Sequence, residues 1–293
     1  MSQIQIHNQL TGRGTPLRDR VFMWLLFLSL AIGVLTLAIL LIYVTVKGWP
    51  RLDTRLFTNM PSVRDAENAG AQSAITGTIW VISFTALITL PTGVMAALHL
   101  EEFASPHSRF QRFVEVNIQN LAAVPSIVYG ILGLAVFARA LALGQSVITA
   151  SLTLSLLVLP VIIISTREAL RAVPRNIRDG SLALGATQWQ TAYRQTLPAA
   201  IPGIATGTIL ALSRAIGEAA PLLLLGAVSF ITFNPNGVLS GYTTLPIQIF
   251  NWTKESREEF QVLAAATIVV LLLILLAMNF VAIWIRNRTQ KRW

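Results

Sequence analysis

Arg214 and Glu218 stand four residues apart inside an apolar stretch, Ile201 to Phe230, that is long enough to cross a lipid bilayer. Four residues make about one helical turn, so a guanidinium and a carboxylate would share a face there. An ionisable side chain at membrane depth is costly to place and by default marks a route for something polar. An arginine fork grips the oxygens of an anion with two parallel hydrogen bonds and stays charged. A carboxylate at roughly 4 Å repels a unit anion by about 4 kcal/mol at an effective dielectric of about 20. Glu218 is therefore read as a counter-ion that neutralises Arg214 in the empty state and lets go when an anion passes. A permanent structural ion pair between helices is the competing reading. Gly217 and Pro221 are expected to break the helix that carries the pair; close packing is the alternative.

The elements that must hold this pair follow from composition. The 293 residues are 54% hydrophobic and only 12% charged, about half the charge of a soluble domain. An integral membrane protein is expected. The net charge is +9, but it falls in short clusters between apolar runs. That pattern lacks the single basic face of a nucleic-acid binder. There are no cysteines, which excludes disulfides, thiolate catalysis and cysteine-held metals. No internal repeat or low-complexity segment stands out.

Six apolar runs approach the ~20 residues needed to span hydrocarbon: Val21–Val46, Ser73–Leu98, Val116–Ala138, Val147–Thr166, Ile201–Phe230 and Phe260–Ile285. The expected fold class is an all-α integral membrane protein with six transmembrane helices. Fourteen Lys and Arg fall in the N-terminal tail, the loops after the second and fourth runs, and the C-terminal tail; seven fall on the other side. The positive-inside rule then puts both termini in the cytoplasm.

The first run is too long for a signal-peptide core and should stay as an anchor. It is plain Leu, Ile, Val and Ala, with Tyr43 and Trp49 at its outer end. The later runs carry the small and polar residues that let helices approach and line cavities. The expected organisation is a cytoplasmic tail over 1–20, a peripheral anchor helix over 21–46, an outer linker over 47–72, the transmembrane domain over 73–285 and a basic tail over 286–293.

Pro125 and Ser126 fall mid-span, downstream of Asn117, Gln119 and Asn120. A proline there frees a carbonyl for another polar partner, so these residues either line a cavity or form a packing kink. His99, Glu101, Glu102 and His107 are read as a solvated connecting loop rather than a metal site, because helical ligand spacing and ordered second partners are not evident. No metal site is expected. Thr243–Phe250 is a moderately apolar outer segment, either a short re-entrant or interfacial helix or a plain loop.

The longest cytoplasmic loop, Arg167 to Ala200, looks structured. Pro174 can start a short helix over Asn176–Leu184, and Gly185 suits the turn that ends it. Thr187-Gln188-Trp189-Gln190 has the form of a capping box, so a second short helix begins there. An exposed acid, Asp179, with the small residues Gly180, Ser181 and Ala183, makes a unit shaped to enter a partner's groove. An ordinary basic loop is the alternative from composition alone.

Asp179-Gly180-Ser181, three residues, Gly185, nine residues, then Gln195-Thr196-Leu197-Pro198 resembles the docking signature of ATP-binding-cassette importer permeases. Asp stands for the usual Glu, Gly and Ser for two alanines, and Gln195 for an isoleucine; Gly185 and Leu197-Pro198 keep the family distances. Leu98-His99-Leu100-Glu101-Glu102-Phe103, Ala123-Val124-Pro125-Ser126-Ile127-Val128-Tyr129-Gly130, Ala183-Leu184-Gly185-Ala186-Thr187 and Ser213–Pro221 look like the phosphate-importer permeases of the PstA branch. The resemblance runs from about Ser73 to Ile285.

The resemblance implies the type I importer permease fold in a bacterial inner membrane, and a heteromeric assembly. Its implied partners are a second homologous permease, two ATPase subunits and an external phosphate-binding protein. The residues themselves place Arg214, Glu218, Ser213, Pro125 and Ser126 along the expected path. The resemblance also implies ATPase docking through the 174–198 loop by Asp179, Gly180, Ser181, Ala183, Gly185 and Ala186. The chain has three lysines, Lys47, Lys254 and Lys291, none in a phosphate-cradling Gly-rich loop. No cofactor is expected on this chain; ATP and Mg belong to the partner ATPases. The same architecture serving sulfate or molybdate is the nearest alternative. A gated channel is another. An intramembrane enzyme is poorly supplied, with no Cys, no His within a span and no second carboxylate beside Glu218.

Overall fold

In the long runs the backbone amides are the only abundant polar groups, and a helix satisfies them internally where lipid offers no partner. A computed structural model describes residues 17–105, 108–226 and 230–289, and among these every regular element is helical. His107, Arg13, Lys291, Arg292 and residues 227–229 of the expected fifth span lie outside the described residues.

The helices are α1 (Leu17–Gly48), α2 (Thr54–Thr58), α3 (Gln72–Leu98), α4 (Arg109–Ala123), α5 (Ser126–Leu132), α6 (Val147–Arg171), α7 (Arg175–Ala183), α8 (Gln188–Thr191), α9 (Leu197–Gly217), α10 (Ala220–Leu224), α11 (Leu245–Thr253) and α12 (Glu258–Thr289). π-helical turns extend α3 to Phe103 and α5 to Ala140, and join α8 to α9. Among the described residues, five helices are long and apolar enough to span a membrane.

The expected third span, Val116–Ala138, is not one helix. It is two, α4 and the extended α5, meeting at an angle of 103°. Val124 and Pro125 are both extended, with ψ of 133° and 137°. The Pro125 ring disfavours helical geometry in the residue before it and supplies no N–H to the preceding turn. The expected fifth span, Ile201–Phe230, is also shorter. Helix α9 stops at Gly217, and Glu218 is extended, with ψ of 107°. Pro221 cannot donate to the Gly217 carbonyl, which removes the bond that would carry the helix onward.

Helices α3, α6 and α9 form the centre. Ser151 Oγ donates to the Val81 carbonyl at 3.1 Å, and a Cβ on Gly93 would come within 2.7 Å of Ile162. On the other flank of α6, Gly203 lies against Ala169 and Gly207 against Ser165. These glycines bring the axes close where no apolar force separates helix from lipid. Helix α1 buries none of its central apolar residues. Its outer end rests on α12, where Gly48 meets the backbone of Ala265 and Ala266 and Lys47 donates to Gln261 at 3.2 Å.

The stretch 47–72, expected as a linker, is folded. Leu56, Ala66, Ala69 and Ala71 pack with Trp252, Phe260 and Leu263. Arg51 ties the segment together by donating to the Ala69 carbonyl at 2.8 Å. The Thr243–Phe250 segment becomes α11, with Leu245, Ile247 and Trp252 buried.

Candidate functional site

The depth of Arg214 follows from the packing register of α9 on α6. These helices run antiparallel, with Gly207 against Ser165, one residue before the expected inner end of that span. Arg214 lies seven residues further on, about 10 Å along the axis. That is close to the middle of a hydrocarbon layer about 30 Å thick.

The break at Pro125 sits at a similar level. Before it, Val114 and Ile118 of α4 pack against Ala97, Leu100 and Ile163. After it, Gly133 is pressed onto Thr153. Pro125 therefore lies opposite the middle of α6. The two interrupted helices touch directly: a Cβ on Gly130 would come within 2.7 Å of Pro221 Cα. The helices that follow each break thus lie side by side.

Arg214 Nε is 3.4 Å from Glu218 Oε1. The side chains are 49% and 19% exposed, so the guanidinium projects outward from its own helices. Leu210 and Gly217, one turn to either side of Arg214, are also exposed on α9. Pro125 is exposed and Ser126 half-buried, and Asn117, Gln119 and Asn120 are exposed along α4. Amide and guanidinium groups at this depth do not face acyl chains without a large penalty. Protein or water must cover them.

Pro125 has no N–H for the Leu121 carbonyl, four residues before it. That oxygen is held instead by the Tyr129 hydroxyl, at 2.7 Å, and by the Val124 amide at 3.1 Å. The freed carbonyl expected at this proline has a partner within the chain. Ser213 Oγ donates to Asn279 Oδ1 at 2.7 Å, stitching α9 to α12 beside the Arg214 face. Neighbours on a helix point about 100° apart, which separates the two roles. Asn279 is a polar residue within the last span that sequence reading did not single out.

On the cytoplasmic side, α7 carries Asp179, Gly180, Ser181 and Ala183. Gly185 has φ of +86°, a left-handed conformation that favours glycine. The capping box at α8 is complete: the Gln190 amide donates to Thr187 Oγ1 at 3.2 Å, and the Thr187 amide donates to Gln190 Oε1 at 2.9 Å. Asp179, Gly180, Ala183 and Gly185 are exposed and Ala186 is half-buried. Ser181 points inward, its hydroxyl 2.9 Å from that of Thr191. Leu184, at the tip, is 91% exposed.

Glu101 and Glu102 are not in a solvated loop. They sit on the π-turn ending α3 and bind arginines. Arg178 Nη2 is 2.8 Å from Glu102 Oε1, and the same guanidinium donates to the Leu170 and Val173 carbonyls, the open end of α6. Arg167 bridges Glu101 at 3.3 Å and Glu115 at 2.7 Å, and Arg171 reaches Glu101 at 2.8 Å. Acids after the second span and arginines after the fourth were visible in the sequence. Their pairing across more than fifty residues was not.

Residues 89–292 match the family described as binding-protein-dependent transport system inner membrane component. The chain belongs to that family. This transport component is 30% identical over 262 residues to the probable ABC transporter permease protein YqgI of Bacillus subtilis (strain 168), covering 85% of this chain and 88% of that one. It is 30% identical over 270 residues to the phosphate transport system permease protein PstA 1 of Mycobacterium tuberculosis (strain ATCC 25618 / H37Rv), covering 91% and 86%. Among solved structures, a bacterial ABC transporter that imports the acidic polysaccharide alginate superposes with a TM-score of 0.60 at 16% identity, covering 94% of this chain and 99% of that one. The MetNI methionine ABC transporter superposes with a TM-score of 0.60 at 20% identity, covering 76% and 95%. The transport component is thus a multi-pass membrane protein with the permease fold of type I ABC importers.

Proposed function

We propose that this chain is the permease subunit of an ATP-driven importer of inorganic phosphate, resident in a bacterial inner membrane with both termini cytoplasmic. The observation that carries the reading is Arg214 at mid-membrane depth, its guanidinium exposed on the surface of its own helices and paired only loosely with Glu218. A second, homologous permease covers that face and closes the path. Arg214 offers a dehydrated anion a permanent positive charge and a bidentate fork. The first amides of α5 lie at the same level and add partial positive charge. Glu218 is the counter-ion that holds the guanidinium between transport events. Relatives named as phosphate permeases, matched over most of their length, support the substrate.

Two ATPase subunits bind ATP and Mg, one of them on the exposed hairpin of Asp179, Gly180, Ala183, Gly185 and Ala186. An external binding protein delivers the phosphate. The test is uptake of radiolabelled phosphate by the assembled transporter, with Arg214→Gln in parallel. Uptake should vanish in the variant while the subunits still co-purify. Normal uptake by Arg214→Gln rejects the path role, and stronger competition by sulfate or molybdate than by unlabelled phosphate reassigns the substrate.

A further inference from the structure

The cytoplasmic ion pairs form one connected line from the docking hairpin to the broken span. At one end, α7 and α8 are clamped to the last turn of α3. Arg178 grips the Glu102 carboxylate with Nε and Nη2, the Gln188 amide donates to the Glu102 carbonyl, and the Trp189 ring lies 5.7 Å from that of Phe103. Glu102 is 9% exposed and Arg178 19%, so water screens this clamp weakly. The adjacent residue, Glu101, faces the other way and binds Arg167. Arg167, 12% exposed, passes the connection to Glu115 on α4. Gln111 steadies the same Glu115 oxygen at 3.1 Å and donates to the Leu100 carbonyl. Beyond Glu115, α4 ends at the Pro125 break, and α5 beyond that break rests on Pro221, three residues past Glu218.

We propose that Glu101, Arg167 and Glu115 form a strut through which movement of the docking hairpin swings α4 about Pro125 and reshapes the surroundings of Arg214. These are positioning residues; none touches the transported ion. Glu115 is the decisive member, because it is where the Arg167 guanidinium grips the hinged helix. A contiguous chain of packed or bonded groups is a physical requirement for such coupling, and a direct measurement of coupling is needed to establish it.

The inference rests on the reading of the chain as an ATP-driven phosphate permease. Its experiment uses the complete transporter in liposomes, recording ATP hydrolysed and radiolabelled phosphate moved. With Glu115→Gln, hydrolysis should hold while phosphate moved per ATP falls about tenfold, the factor for losing one charge-assisted contact. Glu115→Asp keeps the charge but shortens the reach, so it should lose less; it also serves if Glu115→Gln does not assemble. Glu259→Gln makes the same charge change at the exposed outer start of α12 and should leave the ratio alone. An unchanged ratio in assembled Glu115 variants overturns the strut. So does a proportional loss of both activities with the amount of assembled complex, which marks a merely structural contact. Wild-type complex that hydrolyses ATP yet moves no phosphate instead overturns the functional reading itself.

Discussion

The Tyr129 hydroxyl donates to the Leu121 carbonyl at 2.7 Å, the oxygen that Pro125 leaves without its helical donor. One side chain after the break thus holds the last turn before it. Tyr129→Phe should destabilise the chain by about 1 kcal/mol, the net value of one such bond, visible as a lower melting temperature in detergent. Pro125→Ala restores the missing N–H. It should straighten the junction, raise or preserve thermal stability and reduce uptake, because the 103° geometry is then no longer enforced. Full uptake by Pro125→Ala would show that the break is a packing feature only.

Arg214 and Glu218 should respond differently to substitution. Arg214→Lys keeps the charge but loses the planar fork, and uptake should fall about tenfold or more. Glu218→Gln leaves the guanidinium without its counter-charge. Phosphate should then be held more tightly and released more slowly, lowering KM and the maximal rate together. Initial-rate uptake over a range of phosphate concentrations checks this. A raised KM in Glu218→Gln contradicts the counter-ion role.

The hairpin of α7 and α8 depends on a left-handed residue. Gly185 has φ of +86° and nothing within 4 Å of a Cβ site, so Gly185→Ala adds strain without a clash. The cost is about 1–2 kcal/mol, enough to misplace Leu184. Leu184→Glu leaves the backbone intact and removes an apolar knob; burying a leucine contributes about 1.5–3 kcal/mol. Both variants should weaken co-purification of the ATPase subunits about tenfold or more, while the permease itself stays folded. Undiminished co-purification of Leu184→Glu places the docking surface elsewhere.

Two helix glycines should separate packing from propensity. A Cβ on Gly77 would overlap the Thr243 carbonyl oxygen, a backbone atom that cannot rotate away. Gly77→Ala should cost about 1–3 kcal/mol through overpacking. Gly33, in the exposed middle of α1, has nothing within 4 Å. Gly33→Ala should be neutral or stabilise by up to about 1 kcal/mol through helix propensity. Thermal unfolding of the two variants in one detergent decides the comparison.

Local chemistry dictated much of this chain. Long apolar runs specify spanning helices, because nothing else satisfies a backbone in lipid. Pro174, Gly185 and the Thr187–Gln190 box specify the hairpin of α7 and α8, since each acts within four residues of itself. Pro125, Gly217 and Pro221 announce interruptions for the same reason. Tertiary structure alone decided what those interruptions meet. Ser213 faces Asn279, Tyr129 reaches Leu121, Gly130 rests on Pro221, and the 47–72 stretch folds onto α11 and α12. The arginines after the fourth span looked like topology signals; packing made Arg167 and Arg178 the partners of Glu115 and Glu102. Helix propensity and turn chemistry are written in neighbouring residues. Which faces meet is a property of the whole packed bundle, where burial and close approach bring distant residues within reach of one another.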